Sequence, residues 1–115
     1  MRRCYKTLVA RGDKTGFVVF CIPVAEELDL KKAARASKNK SVELLHVKDL
    51  LPTTGYIRGG CSPVGMKKEF PTYIDETAML FDAIAVSGGM RGVQLIVNPD
   101  QLLGFVKGEY VDLTA

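Results

Sequence analysis

Residues 6–22 read Lys6-Thr7-Leu8-Val9-Ala10-Arg11, then Gly12-Asp13-Lys14-Thr15-Gly16, then Phe17-Val18-Val19-Phe20-Cys21-Ile22. Two runs suited to extended backbone flank a cluster of turn residues, which predicts an antiparallel hairpin. The second run is apolar without a break until Pro23, so it reads as a buried strand. It is also the longest uninterrupted apolar run, at six residues. A membrane-spanning helix needs about twenty, so none is expected.

Working outward, Asp29 suits the N-cap of a helix over Leu30–Ser37. Leu30, Ala33, Ala34 and Ser37 form its inner stripe, at helical spacing. Lys31, Lys32, Arg35 and Lys38 form its outer face, which is read as solvated or as touching an RNA backbone. A strand over Val42–His46 and a short helix over Val47–Leu51, stopped by Pro52, follow. Strands are predicted at Thr72–Asp75, Ile84–Ser87, Val93–Val97 and Glu109–Leu113. A short helix, Glu76–Phe81, separates the first two. Asn98-Pro99 is an N-cap and first-turn pair for a helix through Phe105. The expected fold is α/β in the mixed α+β sense: a curved, barrel-like mixed sheet with short helices packed outside.

The chain has 115 residues, 47% of them hydrophobic and 25% charged, which is one globular domain and not a disordered segment. A net charge of +3 is mild; it permits nucleic-acid contact without demanding it. Cys4, Cys21 and Cys61 are odd in number and widely spaced, fitting neither a disulfide framework nor a zinc site. Free thiols, buried or half-buried, are expected. His46 is the single histidine and reads as a partly buried strand-end residue. No metal or other cofactor is expected. No apolar stretch of signal-peptide type follows Met1-Arg2-Arg3, so the chain reads as cytoplasmic.

Gly60-Cys61-Ser62-Pro63-Val64-Gly65-Met66-Lys67-Lys68 nearly copies a phosphate-binding loop. Met66 stands where that motif needs its lysine, and lysines follow where it needs Ser or Thr, so nucleotide binding is rejected. What remains is two glycine-rich stretches, Thr54–Gly65 and Val86–Gly92. Either they are tight turns or they line a pocket with backbone donors, which glycine permits by letting a ligand approach closely.

The elements Tyr5-Lys6-Thr7-Leu8-Val9, Leu28–Ala34, Thr54-Gly55-Tyr56, Gly59–Lys68, Val86–Gly92 and Tyr110–Leu113, in this order, resemble the YbaK/EbsC group of aminoacyl-tRNA deacylases. That group is related to the editing domain of bacterial prolyl-tRNA synthetases. The resemblance implies hydrolysis of mischarged aminoacyl-tRNA in trans, Cys-tRNA(Pro) above all. It makes aminoacylated tRNA(Pro) the partner, with prolyl-tRNA synthetase as a further one. It places the functional lysine on Lys6, the pocket tyrosine on Tyr56, the loop glycine on Gly59 and the pocket serine on Ser87, with Gly88 beside it. Asp112 matches a retained acid without a stated role. Members of the group carry about forty residues ahead of the lysine strand, so residues 1–115 correspond to a domain without that segment. The Lys6 strand is then expected to lack a covering neighbour, and either to pair with a second copy of the chain or to be closed over by rearrangement.

An aminoacyl ester is already activated, so its hydrolysis needs positioning and oxyanion stabilisation. The amides of Gly59 and Gly60 are the expected oxyanion donors, and Lys6 the charge for the RNA terminus or the transition state. Ser87 reads as a hydrogen-bonding group and Cys61 as packing, because nothing in the sequence activates either as a nucleophile. Bound water or the substrate's own thiol remains. The open alternatives are a deacylase for another small amino acid and a non-catalytic aminoacyl-tRNA-binding module.

Overall fold

The computed structural model describes residues 3–45, 71–87 and 94–115. The chain runs β1 (Arg3–Gly12), β2 (Gly16–Pro23), α1 (Leu30–Ala36), β3 (Val42–Leu44), β4 (Thr72–Asp75), a 3-10 helix η1 (Glu76–Leu80), β5 (Ile84–Ser87), β6 (Gln94–Val97), α2 (Pro99–Val106) and β7 (Glu109–Val111). The seven described strands form one mixed sheet, ordered β6-β5-β1-β2-β4-β7, with β3 also paired to β1. The sheet curls into a half-barrel.

The β1–β2 hairpin is its spine. Its register runs from Tyr5 opposite Pro23 to Gly12 opposite Gly16, where φ of +77° supplies the left-handed turn residue. Alternation along the strands then builds two cores. On one face Ala10, Val18, Phe20 and Ile22 pack with Ala33 and Ala34 of α1, with Val42 and with Leu113. Phe20 stacks on Tyr73 there, ring centroids 5.8 Å apart. On the other face Tyr5, Cys21, Ile74, Ile84 and Val86 pack against Ala78 of η1 and Leu102 of α2. Helices therefore cover both faces of a sheet whose middle strand has no polar side to spare, which is why residues 18–22 are all fully buried.

The caps are as expected. Asp29 accepts from the amides of Lys31 and Lys32, and Asn98 from that of Gln101, with Pro99 in the first turn of α2. Several expectations are corrected. Leu30 is 46% exposed, not part of the inner stripe, because Leu28, just ahead of the cap, makes the apolar contact at that end of α1. Lys32 is not on a free outer face: its Nζ lies 2.9 Å from Asp112 and donates to the Thr114 carbonyl at 2.8 Å. Cys4 is exposed, since alternation turns it to the face opposite Tyr5, while Cys21 is buried. β3 ends at Leu44 and β7 at Val111, although Leu113 beyond it is buried because its amide is held by Asp75. The segment after Asp75 is a 3-10 turn rather than an α-helix. The short helix expected at Val47–Leu51 and the strand-end placement of His46 lie outside the described residues.

The expected bare strand is also corrected. β1 is internal, with β2 on one flank from Tyr5 to Gly12. On the other flank it pairs with β5 at its start and β3 at its end.

Candidate functional site

That second flank is where the structure brings the chemistry together. β5 reaches Arg3 and Cys4 of β1, and β3 reaches Ala10 to Gly12, with the Leu45 amide donating to the Val9 carbonyl at 3.0 Å. Between them, Lys6, Thr7 and Leu8 have no described strand on that flank. Lys6 sits half-buried in this interval, in register with Ile22. Extending the β5 register two residues past Cys4–Ala85 sets Ser87 level with Lys6. A parallel pairing therefore joins residues 81 positions apart in sequence.

Both glycine-rich stretches leave the described structure at this interval. Residues 88–93 follow Ser87, at the end of β5, and close onto Gln94, the antiparallel partner of Ser87. Residues 46–70 follow Leu45, beside Val9. The chain resumes at Pro71, whose carbonyl accepts from Val19, the register partner of Val9. The two stretches are thus anchored on either side of Lys6. Tyr56, Gly59, Gly60 and Gly88, like His46 and Cys61, lie outside the described residues, and Ser87 is placed by its backbone.

No described carboxylate pairs with Lys6, so its charge is not neutralised within the described fold. A lysine ammonium so placed is a point charge on a flexible stem, suited to a phosphate or a developing oxyanion. Among the described residues, no three His, Cys, Asp or Glu side chains gather as metal ligands.

Behind Lys6, on the opposite face, a buried polar chain fixes the strand that carries it. Thr77 donates its hydroxyl to Asp75 Oδ2 at 2.6 Å, and the Tyr5 hydroxyl lies 2.7 Å from Thr77 Oγ1. A threonine hydroxyl has one proton, so Tyr5 is the donor in that contact. The Thr77 amide also reaches Oδ2, and Oδ1 takes the Leu113 amide at 2.9 Å. Asp75 is 1% exposed, so it ties β1, the end of β4 and the C-terminal segment together in a low-dielectric site. Sequence reasoning passed over Asp75. Its signal was local: an aspartate directly before the Glu76–Leu80 turn is a cap.

At the sheet's far edge the Tyr110 hydroxyl donates to Asp100 at 2.7 Å; burial first, then this acceptor, raises its pKa well above the usual phenol value. Asp112, the retained acid without a stated role, pairs with Lys32 and so fastens the C-terminal segment to α1. That contact draws the Lys32 pKa upward.

The aminoacyl-tRNA editing domain family matches residues 1–105. A protein of Enterococcus faecalis, named as a candidate Cys-tRNA(Pro)/Cys-tRNA(Cys) deacylase, EbsC, is 57% identical over 112 residues, 97% of this chain and 68% of that protein. A crystal structure described as a candidate trans-editing enzyme for prolyl tRNA synthetase superposes with a TM-score of 0.87 at 28% identity, over 97% of this chain and 70% of that one. A structure from a study of epitope backbone grafting onto scaffold proteins gives 0.89, also at 28% identity, over 97% and 73%.

Proposed function

This chain belongs to the aminoacyl-tRNA editing domain family, and from that premise we propose that it hydrolyses mischarged aminoacyl-tRNA in trans, with Cys-tRNA(Pro) as its main substrate. The observation that carries the reading is the 57% identity, across nearly the whole chain, to a relative named for this activity. The convergence of Lys6, Ser87 and the anchors of both glycine-rich stretches supports a site at the β1 interval. We assign the catalytic roles to Lys6 and the amides of Gly59 and Gly60, and substrate contacts to Tyr56, Ser87 and Gly88.

The chemistry is ester cleavage. Oxygen or sulfur adds to the aminoacyl carbonyl, and the oxyanion takes hydrogen bonds from the Gly59 and Gly60 amides. The carbon–oxygen bond to the terminal ribose breaks, and the ribose hydroxyl leaves with a proton. Lys6 holds the terminal phosphate or balances the negative charge. With water as nucleophile the amino acid is released directly. With the substrate's own thiol, a four-membered thiolactone forms first and water then opens it to cysteine. The thiol route gives preference for cysteine without a dedicated base. The reaction runs in the cytoplasm, with prolyl-tRNA synthetase as the source of the mischarged tRNA.

The test is release of amino acid from Cys-, Ser-, Ala- and Pro-tRNA(Pro) by the purified chain. Cysteine release well above the other three is expected, because a serine hydroxyl is a poorer nucleophile of near-equal size. Equal serine and cysteine rates favour water. Preferential alanine or proline release makes this a deacylase of another specificity, and no release makes it a binding module.

A further inference from the structure

Charge is distributed unevenly over the described fold. Residues 30–41 carry Lys31, Lys32, Arg35, Lys38 and Lys40 and no acid, whereas residues 71–87 and 94–115 carry Lys107 against Asp75, Glu76, Asp82, Asp100, Glu109 and Asp112. Lys32 is taken by Asp112. Lys31 and Arg35, four residues apart, remain exposed on one stripe of α1, and Lys38 is exposed just beyond its C-cap.

The tip of the β1–β2 hairpin is locked onto the end of this helix. Asn39, 8% exposed, accepts from the amides of Lys14 and Thr15 at 2.8 and 3.0 Å, and donates to Thr15 Oγ1 and Ser37 Oγ. Its side chain occupies the space a Cβ would need at Gly12, so the glycine there makes room for this contact. Asp13 adds a second clasp, accepting from the amides of Lys40 and Ser41. The backbones of Lys14, Lys38 and Lys40 are therefore held around one residue, and all three side chains are exposed.

Like charges gathered on one end repel, and the exposed Asp13 carboxylate, which interacts with Lys14, offsets only part of them. No described carboxylate pairs with the side chains of Lys14, Arg35, Lys38 or Lys40. Lys38 moreover stands at φ +64°, a conformation glycine would adopt without strain. Lys107 shares that conformation at the end of α2, in a stretch of sequence that otherwise carries acids, Asp100 and Glu109. Lys38 lies three residues after Arg35 and two before Lys40 in sequence.

We propose that this pole, Lys14, Arg35, Lys38 and Lys40 with Lys31 along the helix, is the docking surface for the phosphate backbone of a double-helical RNA stem. The inference rests on the proposed deacylase reading and names which surface takes the stem of its substrate. Spacing along β1 fits: Lys6 and Gly12 are six residues apart, about 20 Å of extended strand. An acylated 3′ end at Lys6 would reach the stem through its unpaired terminal nucleotides.

The probe is an uncharged RNA hairpin with a single-stranded 3′ end, titrated by fluorescence anisotropy at several salt concentrations. The variant is Lys14→Ala/Lys38→Gly/Lys40→Ala, in which glycine fits the backbone at residue 38, and melting checks that it folds. We expect its affinity to fall about tenfold or more, and the slope of log affinity against log salt to shrink by about two to three. Lys107→Ala leaves both unchanged. Aminoacyl ester cleavage by the triple variant shows a raised KM with kcat retained. A folded triple variant with unchanged affinity and salt slope overturns the proposal, as does a wild-type chain that does not bind the hairpin. Binding that depends on the three lysines, without ester cleavage by the wild type, overturns the deacylase reading and leaves this surface standing.

Discussion

Lys6 and Asp13 show how much a single position on the β1–β2 hairpin can carry. Lys6→Ala removes the cation from the interval between β5 and β3, while its neighbours Tyr5 and Thr7 keep their packing on the other face. Deacylation is expected to fall by two orders of magnitude or more with the melting temperature nearly unchanged; a folded variant at wild-type rate removes Lys6 from the site. Asp13 is exposed, yet its pKa is lowered, chiefly by the Ser41 amide; desolvation opposes this, and the Lys40 amide and the Lys14 charge add to the lowering. A carboxylate whose folded pKa is depressed stabilises above its unfolded pKa, here 3.8, and that contribution fades as pH falls through the folded value. Below pH 3.8 the amides of Lys40 and Ser41 should therefore lose hydrogen-exchange protection ahead of those in β2. Asp13→Asn, which keeps an acceptor and cannot ionise, should remove that pH dependence.

Helix α1 is short, and its ends decide its stability. A seven-residue helix forms few internal hydrogen bonds, so its caps and its alanine face hold it. Asp29→Ala leaves the Lys31 and Lys32 amides without their acceptor and should cost about 1 kcal/mol in urea denaturation. At the other end Asn39 donates to the Ala34 carbonyl at 2.8 Å and Lys38 to that of Arg35, so Lys38 occupies the left-handed position of a helix-ending turn. Lys38→Gly should stabilise the fold, by about 1 kcal/mol, while weakening RNA binding. A residue that is worse for folding than its replacement and better for binding is the pattern expected of a functional position, and the two measurements can be made on one variant.

Across the whole molecule the two cores communicate through one buried carboxylate. Asp75 joins β4 to Tyr5 of β1 through Thr77 and to the C-terminal segment through Leu113. Asp75→Ala strands the Thr77 hydroxyl and the Leu113 amide in the interior and should cost about 3 kcal/mol or more. Tyr5→Phe removes one donor from the chain and should cost about 1 kcal/mol. A comparable loss in both variants would mean that Asp75 does not join these elements. The C-terminal segment is fastened again at Lys32–Asp112 and by the Leu28–Thr114 bridge, so this domain closes on itself at the start of α1.

The local signals in this chain were short-range and strong, and they sufficed for the elements. Turn residues at Gly12–Gly16 set the hairpin, Asp29 and Asn98-Pro99 set two helix starts, and an apolar run at Phe17–Ile22 marked the central strand. Each depends on neighbours a few residues away. The family was likewise legible, because the order of Tyr5-Lys6-Thr7, Gly59–Lys68 and Val86–Gly92 is itself a sequence property. The partners of β1 were not legible. Sequence order suggested a bare first strand, whereas parallel pairing to β5 and antiparallel pairing to β3 cover it at both ends, and such pairings depend on segments tens of residues apart. The roles of Lys32, Asp75 and Asp112 were hidden for the same reason: a charge's partner is set by where the sheet and the C-terminal segment bring it. Composition and spacing determined the strands and the caps, and the family resemblance alone singled out Lys6 among the lysines. Tertiary structure alone decided that Arg3 and Cys4 pair with Ile84 and Ala85, because only the packed sheet converts 81 positions of sequence into adjacent strands.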